Sequence, residues 1–94
     1  MIIVWSPRAV DHLTHLRTHI ARDDPKAATR VAGSLLEAVG RLAELPNLGR
    51  PGRVAGTREL VVPGTPYVIP YRVRGDRLEV IAVFHTRQKW PRQL

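Results

Sequence analysis

The sequence predicts an α+β fold in which a helical hairpin packs on a small, mainly antiparallel sheet. Three observations carry this prediction: a short β-branched segment at the start, two amphipathic helical patterns joined by a capped turn, and three apolar strand patterns after a loop rich in glycine and proline. The expected order of elements is β-α-α-β-β-β. A chain of 94 residues has room for one core, so a single domain over residues 1–94 is expected.

The N-terminal half is expected to form one strand and two helices. Residues 1–5 are β-branched and aromatic, and Ser6-Pro7 is typical of a helix start, with a capping hydroxyl and proline in the first turn. Asp24-Pro25 starts the second helix in the same way, and this helix is expected to reach about Leu45. The apolar stripes are Ala9, Leu13, Leu16 and Ile20 in the first helix, and Ala28, Val31, Leu35, Ala38, Leu42 and Leu45 in the second.

Two glycines lie inside the second helical pattern. Gly33 and Gly40 are seven residues apart, and each costs about 1 kcal/mol relative to alanine in a helix interior. They are therefore expected to permit close approach of the first helix.

The C-terminal half is expected to form three strands after a loop. The loop covers residues 46–56, and the strands cover 58–62, 67–73 and 78–84. Gly75-Asp76 suits a tight hairpin turn between the last two strands.

Strand alternation predicts which side chains face the helices. The apolar sets are Tyr67, Ile69, Tyr71 and Val73 in one strand, and Leu78, Val80, Ala82 and Phe84 in the next. The side chains expected on the opposite, open face are Arg72, Arg74, Glu79 and His85. Pro70 cannot donate a ladder hydrogen bond, so it predicts a sheet edge or a bulge.

Charge and composition narrow the function. The net charge is +7, thirteen of the fifteen basic residues are arginine, and residues 46–94 carry nine bases against three acids. This asymmetry indicates a polyanionic target or an acidic protein partner, because arginine makes paired hydrogen bonds to phosphates and carboxylates. The absence of cysteine excludes disulfides, thiol nucleophiles and thiolate metal sites. No apolar run is long enough for a membrane span, so a cytoplasmic protein is expected.

Three other patterns have both a functional and a structural interpretation. His12, His15 and His19 lie on one flank of the first helix and have the chemistry to bind zinc or nickel, but a solvated flank is the preferred interpretation and no metal is predicted. Arg58 and Glu59 are adjacent in a strand, so they point to opposite faces and cannot act together on one atom. The loop GRPGR is a contact for nucleic acid at most.

Three stretches carry a family resemblance: LGRPGRVAGTREL, PYVIPYRV and VFHTRQKWP. Together with the order of elements, they resemble the RelE/ParE superfamily of bacterial toxins over nearly the whole chain, and more closely its ParE-like branch. The resemblance implies a growth-inhibiting toxin of a type II toxin-antitoxin pair. It also implies a hetero-oligomer with a cognate antitoxin, whose acidic or amphipathic C-terminal segment folds on the toxin.

The two branches of this superfamily have different targets. ParE-like toxins poison DNA gyrase and block replication, whereas RelE-like toxins are endoribonucleases that cleave messenger RNA in the ribosome. For the nuclease branch, the resemblance assigns catalysis to His85 and Arg72. A non-toxic basic binding module is the further alternative.

The chain departs from the nuclease pattern at three places. Val68 stands where such nucleases carry arginine, Gly52-Arg53 stands where a carboxylate is expected, and Thr86 follows the histidine in place of an aromatic hydroxyl. These departures favour the gyrase target, for which no enzymatic chemistry of the toxin is required.

The expected contacts with the target or with nucleic acid are Arg58, Arg74, Arg87, Lys89 and Trp90, with Trp90 as an aromatic anchor. The alternative for Trp90 is structural, because Trp90-Pro91 also suits a segment that folds back over the sheet edge. No cofactor is expected.

Overall fold

A computed structural model describes all residues of the chain, 1–94. The elements are β1 (Ile2–Trp5), α1 (Pro7–Ala21), α2 (Pro25–Arg41), β2 (Arg50–Pro51), β3 (Arg58–Val61), β4 (Tyr67–Arg74), β5 (Arg77–Val80) and β6 (Phe84–His85). They follow the predicted order, with two differences: β2 lies inside the predicted loop, and the last predicted strand is divided into β5 and β6.

The strands form one sheet in the order β1-β5-β4-β3-β2, and β6 pairs with the other end of β4. Only β1 and β5 are parallel, and the remaining pairs are antiparallel. The predicted α+β class with a mainly antiparallel sheet is therefore confirmed. Neither helix is long and apolar enough to cross a membrane.

Both helices start at the predicted caps. The Ser6 hydroxyl accepts a hydrogen bond from Ala9 N at 3.0 Å, and it also donates to Ile81 O at 2.7 Å, which ties α1 to the sheet. Asp24 Oδ1 accepts from Ala27 N at 3.0 Å at the start of α2. Each cap satisfies an N–H group that the first helical turn leaves without a partner.

The main core lies between the helical hairpin and one face of the sheet. It contains the buried residues Ala9, Leu16, Leu35, Ala38, Val39, Leu42, Leu60, Val62, Ile69, Tyr71, Leu78, Val80 and Val83. Of the ten residues in the predicted helical stripes, five are buried there, and Leu13, Ile20 and Val31 pack against this core partly buried. Leu45 is an exception, because α2 ends at Arg41 and the turn after it carries Leu45 off the helical face to 56% exposure. Val73 is also exposed, near the end of its strand.

The prediction for the two helix glycines is wrong. Gly33 and Gly40 are exposed, and a Cβ atom added at either one has no neighbour within 4 Å. The buried small residues of α2 are instead Ala28, Ala32 and Ala38.

A β-bulge separates β5 from β6. Val80 pairs with Tyr71 but Phe84 pairs with Val68, so this side advances four residues while β4 advances three. The bulge lies opposite Pro70, whose carbonyl accepts from Ile81 N at 2.9 Å. The prediction that Pro70 marks an edge or a bulge is confirmed, because a residue without an N–H group leaves a gap in the ladder.

The bulge reverses the alternation of side chains in the last strand. Phe84 turns to the face away from the helices and packs with Ile81 and Ala82 in a second small core, while His85 turns toward α1 beside Tyr67. The predicted placements of Ala82 and Phe84 under the helices, and of His85 on the open face, are therefore wrong. One extra residue changes the face of every residue that follows it.

Candidate functional site

Three arginines lie on the open face of the sheet at the β4–β5 hairpin. We call Arg72, Arg74 and Arg77 the arginine face. Arg74 and Arg77 are directly opposite each other across the hairpin, and like charges in such a pair destabilise a sheet. Gly75 forms the turn with a φ of 61°, the only positive φ in the hairpin, as a type II′ turn requires.

The arginine face contains one carboxylate. Arg72 Nε lies 3.2 Å from Glu79 Oε1, but the approach is not aligned as a hydrogen bond, and this buried Nε atom has no partner. Glu79 and the three arginines line an open cleft of about 200 Å³ with Val4. The cleft thus has a positive lining and an unused hydrogen-bond donor, which suits an anionic group.

Arg58 is opposite the core residue Tyr71, on the helix side of the sheet, and has a structural partner. Its Nη1 donates to Gly49 O at 2.8 Å, and it lines a neighbouring cleft with Arg72. In the strand register Arg58 is opposite Tyr71 and Glu59 is opposite Pro70. The two neighbours therefore point to opposite faces, as predicted from strand alternation.

A second group of arginines, which we call the glutamate cage, surrounds Glu59. The Glu59 side chain is 2% exposed and accepts five hydrogen bonds from Arg50 and Arg53, including one from Arg53 backbone N at 2.8 Å. Burial alone raises the pKa of this carboxyl group, but the hydrogen bonds from the two arginines outweigh burial and lower the pKa below its ordinary value. The arginines of the GRPGR loop therefore have a structural role, as hydrogen-bond partners of a buried carboxylate.

The loop that carries the cage is held by Tyr71. The Tyr71 hydroxyl accepts from Gly49 N at 2.9 Å and donates to Pro46 O at 2.6 Å. A Cβ atom at Gly49 would lie 2.6 Å from Tyr71 Cε1, so only glycine fits there. Burial raises the pKa of the Tyr71 hydroxyl and keeps it protonated as a donor.

The C-terminal segment packs against the glutamate cage. The guanidinium carbon of Arg53 lies 3.6 Å from the centre of the Trp90 ring, and Trp90 packs on Phe84 with ring centres 4.7 Å apart. Trp90 thus folds back over the sheet, in the position that the structural alternative describes. Arg87 and Lys89 are exposed in the same segment.

A shallow groove between α1 and the C-terminal segment contains all four histidines. It has a volume of about 270 Å³ and is lined by His12, His15, His19, His85, Tyr67, Leu16, Val83 and Gln88. His12 Nδ1 accepts from Val83 N at 3.0 Å. Burial and the nearby Arg8 lower the pKa of His12, so this ring is neutral near pH 7. No three His, Asp or Glu side chains converge on a point that would hold a metal ion.

The structure does not bring the two predicted nuclease residues together. His85 is opposite Tyr67, whereas Arg72 lies five residues further along β4, which corresponds to roughly 17 Å. They also lie on opposite faces of the sheet. One phosphodiester group cannot contact both side chains in this arrangement.

Sequence reasoning missed Arg77, the buried state of Glu59 and the role of Arg50 and Arg53. The available signals were the two arginines that flank the Gly75 turn, and a carboxylate in a strand directly after an arginine-rich loop. A fully buried carboxylate is almost always paired with a positive charge, so the arginines of the preceding loop were candidate partners for Glu59.

A model of the family described as the ParE toxin of type II toxin-antitoxin systems, parDE, matches residues 3–90. The chain belongs to the ParE toxin family. The predicted resemblance to RelE/ParE toxins is confirmed, and this ParE-family toxin is the toxin component of a type II system.

Individual relatives agree with this assignment. The toxin is 47% identical over 92 residues to the putative toxin Y4kP of Sinorhizobium fredii, covering 98% of this chain and 95% of that one. It is 41% identical over 83 residues to toxin RelE2 of Caulobacter vibrioides, covering 88% of this chain and 92% of that one. A solved structure, the chromosomal ParDE TA system from P. aeruginosa, superposes with a TM-score of 0.84 at 26% identity, covering 90% of this chain and 95% of that one.

Proposed function

We propose that the toxin inhibits DNA gyrase and thereby blocks replication, with the whole chain acting as one toxin domain. The observation that carries this proposal is the separation of His85 from Arg72, which leaves the expected nuclease pair on opposite faces. Inhibition by binding needs a contact surface and no catalytic group. The match to the ParE family model supports the same target.

The arginine face supplies the centre of the proposed contact surface. Arg72, Arg74 and Arg77 share one cleft with a single carboxylate, and Arg72 Nε has no hydrogen-bond partner. Positive charge concentrated in this way attracts acidic surfaces or DNA phosphates on a gyrase–DNA complex. Arg58 points to the other face of the sheet and would contribute only through the neighbouring cleft that it lines with Arg72.

The C-terminal segment contributes less directly to the proposed surface. Arg87 and Lys89 are exposed and available, whereas Trp90 is half-buried between Arg53 and Phe84. In this arrangement Trp90 anchors the C-terminal segment to the sheet, and this segment carries the two exposed basic residues.

The proposed regulator is a cognate antitoxin that forms a hetero-oligomer with the toxin in the cytoplasm. The net charge of +7 suits an acidic, amphipathic segment of the antitoxin, which would fold as it binds. The similarity to a chain of the solved chromosomal ParDE TA system supports this partner.

A test in cells separates the two targets. The toxin is induced without its antitoxin, and plasmid supercoiling and message integrity are measured in the same culture. Gyrase inhibition predicts relaxed plasmids while messages stay intact. Cleaved messages with normally supercoiled plasmids would contradict the proposal, and so would unchanged growth, which is the outcome for a plain binding module.

The second candidate is a ribosome-dependent endoribonuclease. It is favoured by His85, which lies in a groove with three other imidazoles, and by the name of the Caulobacter relative RelE2. In this case His85→Ala is expected to slow message cleavage on the order of 100-fold, the usual contribution of a general acid or base. If Arg72→Ala also abolished cleavage, the result would support His85 and Arg72 as the catalytic residues of a nuclease.

A further inference from the structure

Two histidines of α1 have the spacing of a helical metal chelate. His15 and His19 are four residues apart, so their side chains lie on the same flank of the helix. Both line the shallow groove that contains all four histidines. Histidines at this spacing bind zinc in helical metal sites. The spacing alone also fits a solvated flank, because nothing in the sequence pattern orients the rings.

A backbone contact orients one of these rings. His15 Nδ1 lies 2.7 Å from Asp11 O. A carbonyl oxygen can only accept, so Nδ1 carries the proton and donates, and the Nε2 lone pair is free to bind a metal ion. Metal-binding histidines commonly have this second contact, in which the other ring nitrogen donates to a carbonyl or carboxylate oxygen.

The same reasoning excludes the other two histidines of the groove. Nδ1 of His12 accepts from Val83 N, and Nδ1 of His85 accepts from Arg87 N at 3.1 Å. Each of these rings, when neutral, therefore carries its proton on Nε2 and presents a donor to the groove. A protonated nitrogen cannot bind a metal ion. The structure also brings no three of these side chains together as ligands of one ion.

We infer that His15 and His19 together bind one divalent transition-metal ion of the Zn²⁺ or Cu²⁺ class, with water completing the coordination. These ions prefer imidazole nitrogen, and the exposed flank leaves room for the waters. Two protein ligands make the site weaker than a structural zinc site with four. The proposed ion lies in the groove that also contains His85.

The test is a titration of the full-length toxin, prepared without a polyhistidine tag, with ZnCl₂. Calorimetry is expected to give one ion per chain. Long-range ¹H–¹⁵N spectra of the imidazoles are expected to show Zn²⁺-dependent changes in the Nε2 chemical shifts of His15 and His19. The chemical shifts of the His12 and His85 rings are expected to stay unchanged. His15→Gln and His19→Gln are each expected to weaken binding at least tenfold.

His85→Gln is the matched control, because it removes an imidazole from the same groove without removing a proposed ligand. Its affinity for Zn²⁺ is expected to stay within twofold of the unaltered toxin, and far-ultraviolet circular dichroism checks that each variant is folded. The inference is overturned if the unaltered toxin gives no binding heat and no imidazole shift. An equal loss of affinity in His85→Gln would overturn it as well, because it would place the ion elsewhere in the groove.

Discussion

Two groups of arginines lie on the same side of the sheet and differ in what surrounds them. In the glutamate cage, Arg50 and Arg53 share five hydrogen bonds with Glu59, whose side chain is 2% exposed. In the arginine face, Arg74 and Arg77 are opposite each other, and the one carboxylate that lines their cleft belongs to Glu79, which is about half exposed. The residue type is the same and each group has one carboxylate, but the burial of that carboxylate and the number of hydrogen bonds that it accepts differ.

This difference separates a structural role from a functional one. A buried carboxylate needs its arginines, because an unpaired buried charge is strongly destabilising. Arginines that repel each other across a hairpin contribute nothing comparable to folding, so their presence is better explained by an external anionic partner. The four predictions that follow test this contrast, from the largest expected effect to the smallest.

Glu59→Ala is expected to lower the free energy of unfolding by about 2 kcal/mol. The substitution removes a buried acceptor of five hydrogen bonds, although both arginines are about half exposed and regain water. Urea denaturation measures the change. The matched control is Glu79→Ala, which removes an exposed carboxylate and is expected to cost less than about 0.5 kcal/mol. Equal effects of the two changes would remove the contrast between the clusters.

Arg74→Ala combined with Arg77→Ala is expected to weaken gyrase inhibition at least tenfold while stability is unchanged or increased. A tenfold loss corresponds to about 1.4 kcal/mol of binding free energy. The concentration of toxin that halves the rate of supercoiling measures it. The control is Arg17→Ala combined with Arg30→Ala, which removes two exposed helix charges outside the arginine face. If both double variants lose activity equally, net charge explains the effect and the arginine face does not.

Arg53→Ala is expected to destabilise the toxin by about 1 kcal/mol. The change removes two hydrogen bonds to Glu59 and the guanidinium that covers the Trp90 ring. Thermal unfolding measures the loss, and Trp90 fluorescence should also change, because the ring gains exposure to water. Arg74→Ala is the control from the other cluster, and an equal loss of stability there would contradict the account.

The glutamate cage also predicts how stability depends on pH. The pKa of Glu59 is lowered in the folded state, so its contribution is fully present above the ordinary glutamate pKa of about 4.3 and is lost as the pH falls through the folded value. Urea denaturation at pH 7 and at successive values below pH 5 should show a steeper acid loss in the unaltered toxin than in Glu59→Gln. Parallel curves for the two proteins would show that the cage does not depend on ionised Glu59.

Much of the fold follows from local signals in the sequence. Ser6 and Asp24 start the helices where capping chemistry predicts, and the apolar spacing of the helices identifies most of the core residues that the helical hairpin contributes. The face of His85 was predicted wrongly, because alternation assumes an unbroken strand and a single bulged residue reverses it. Pro70 indicated a sheet edge or a bulge, but neither which of the two nor the strand on which an extra residue would fall.

The candidate site was predictable only in part. Arg72 and Arg74 lie on the open face as alternation predicts, whereas Arg77 joins them through the hairpin register, which depends on the geometry of the turn. Whether a loop arginine contacts a target or a buried carboxylate depends on contacts across the sheet. The sequence pattern around Arg50 and Arg53 is the same in either case.

The central claim is that the toxin acts by binding through the arginine face and not by catalysis at His85. The most direct test is inhibition of supercoiling by purified gyrase, measured as a full dose curve for the unaltered toxin and for His85→Gln. The account predicts that the unaltered toxin inhibits supercoiling and that the two curves agree within twofold. Failure of the unaltered toxin to inhibit gyrase at any dose, or a tenfold or greater loss in His85→Gln, would contradict the claim.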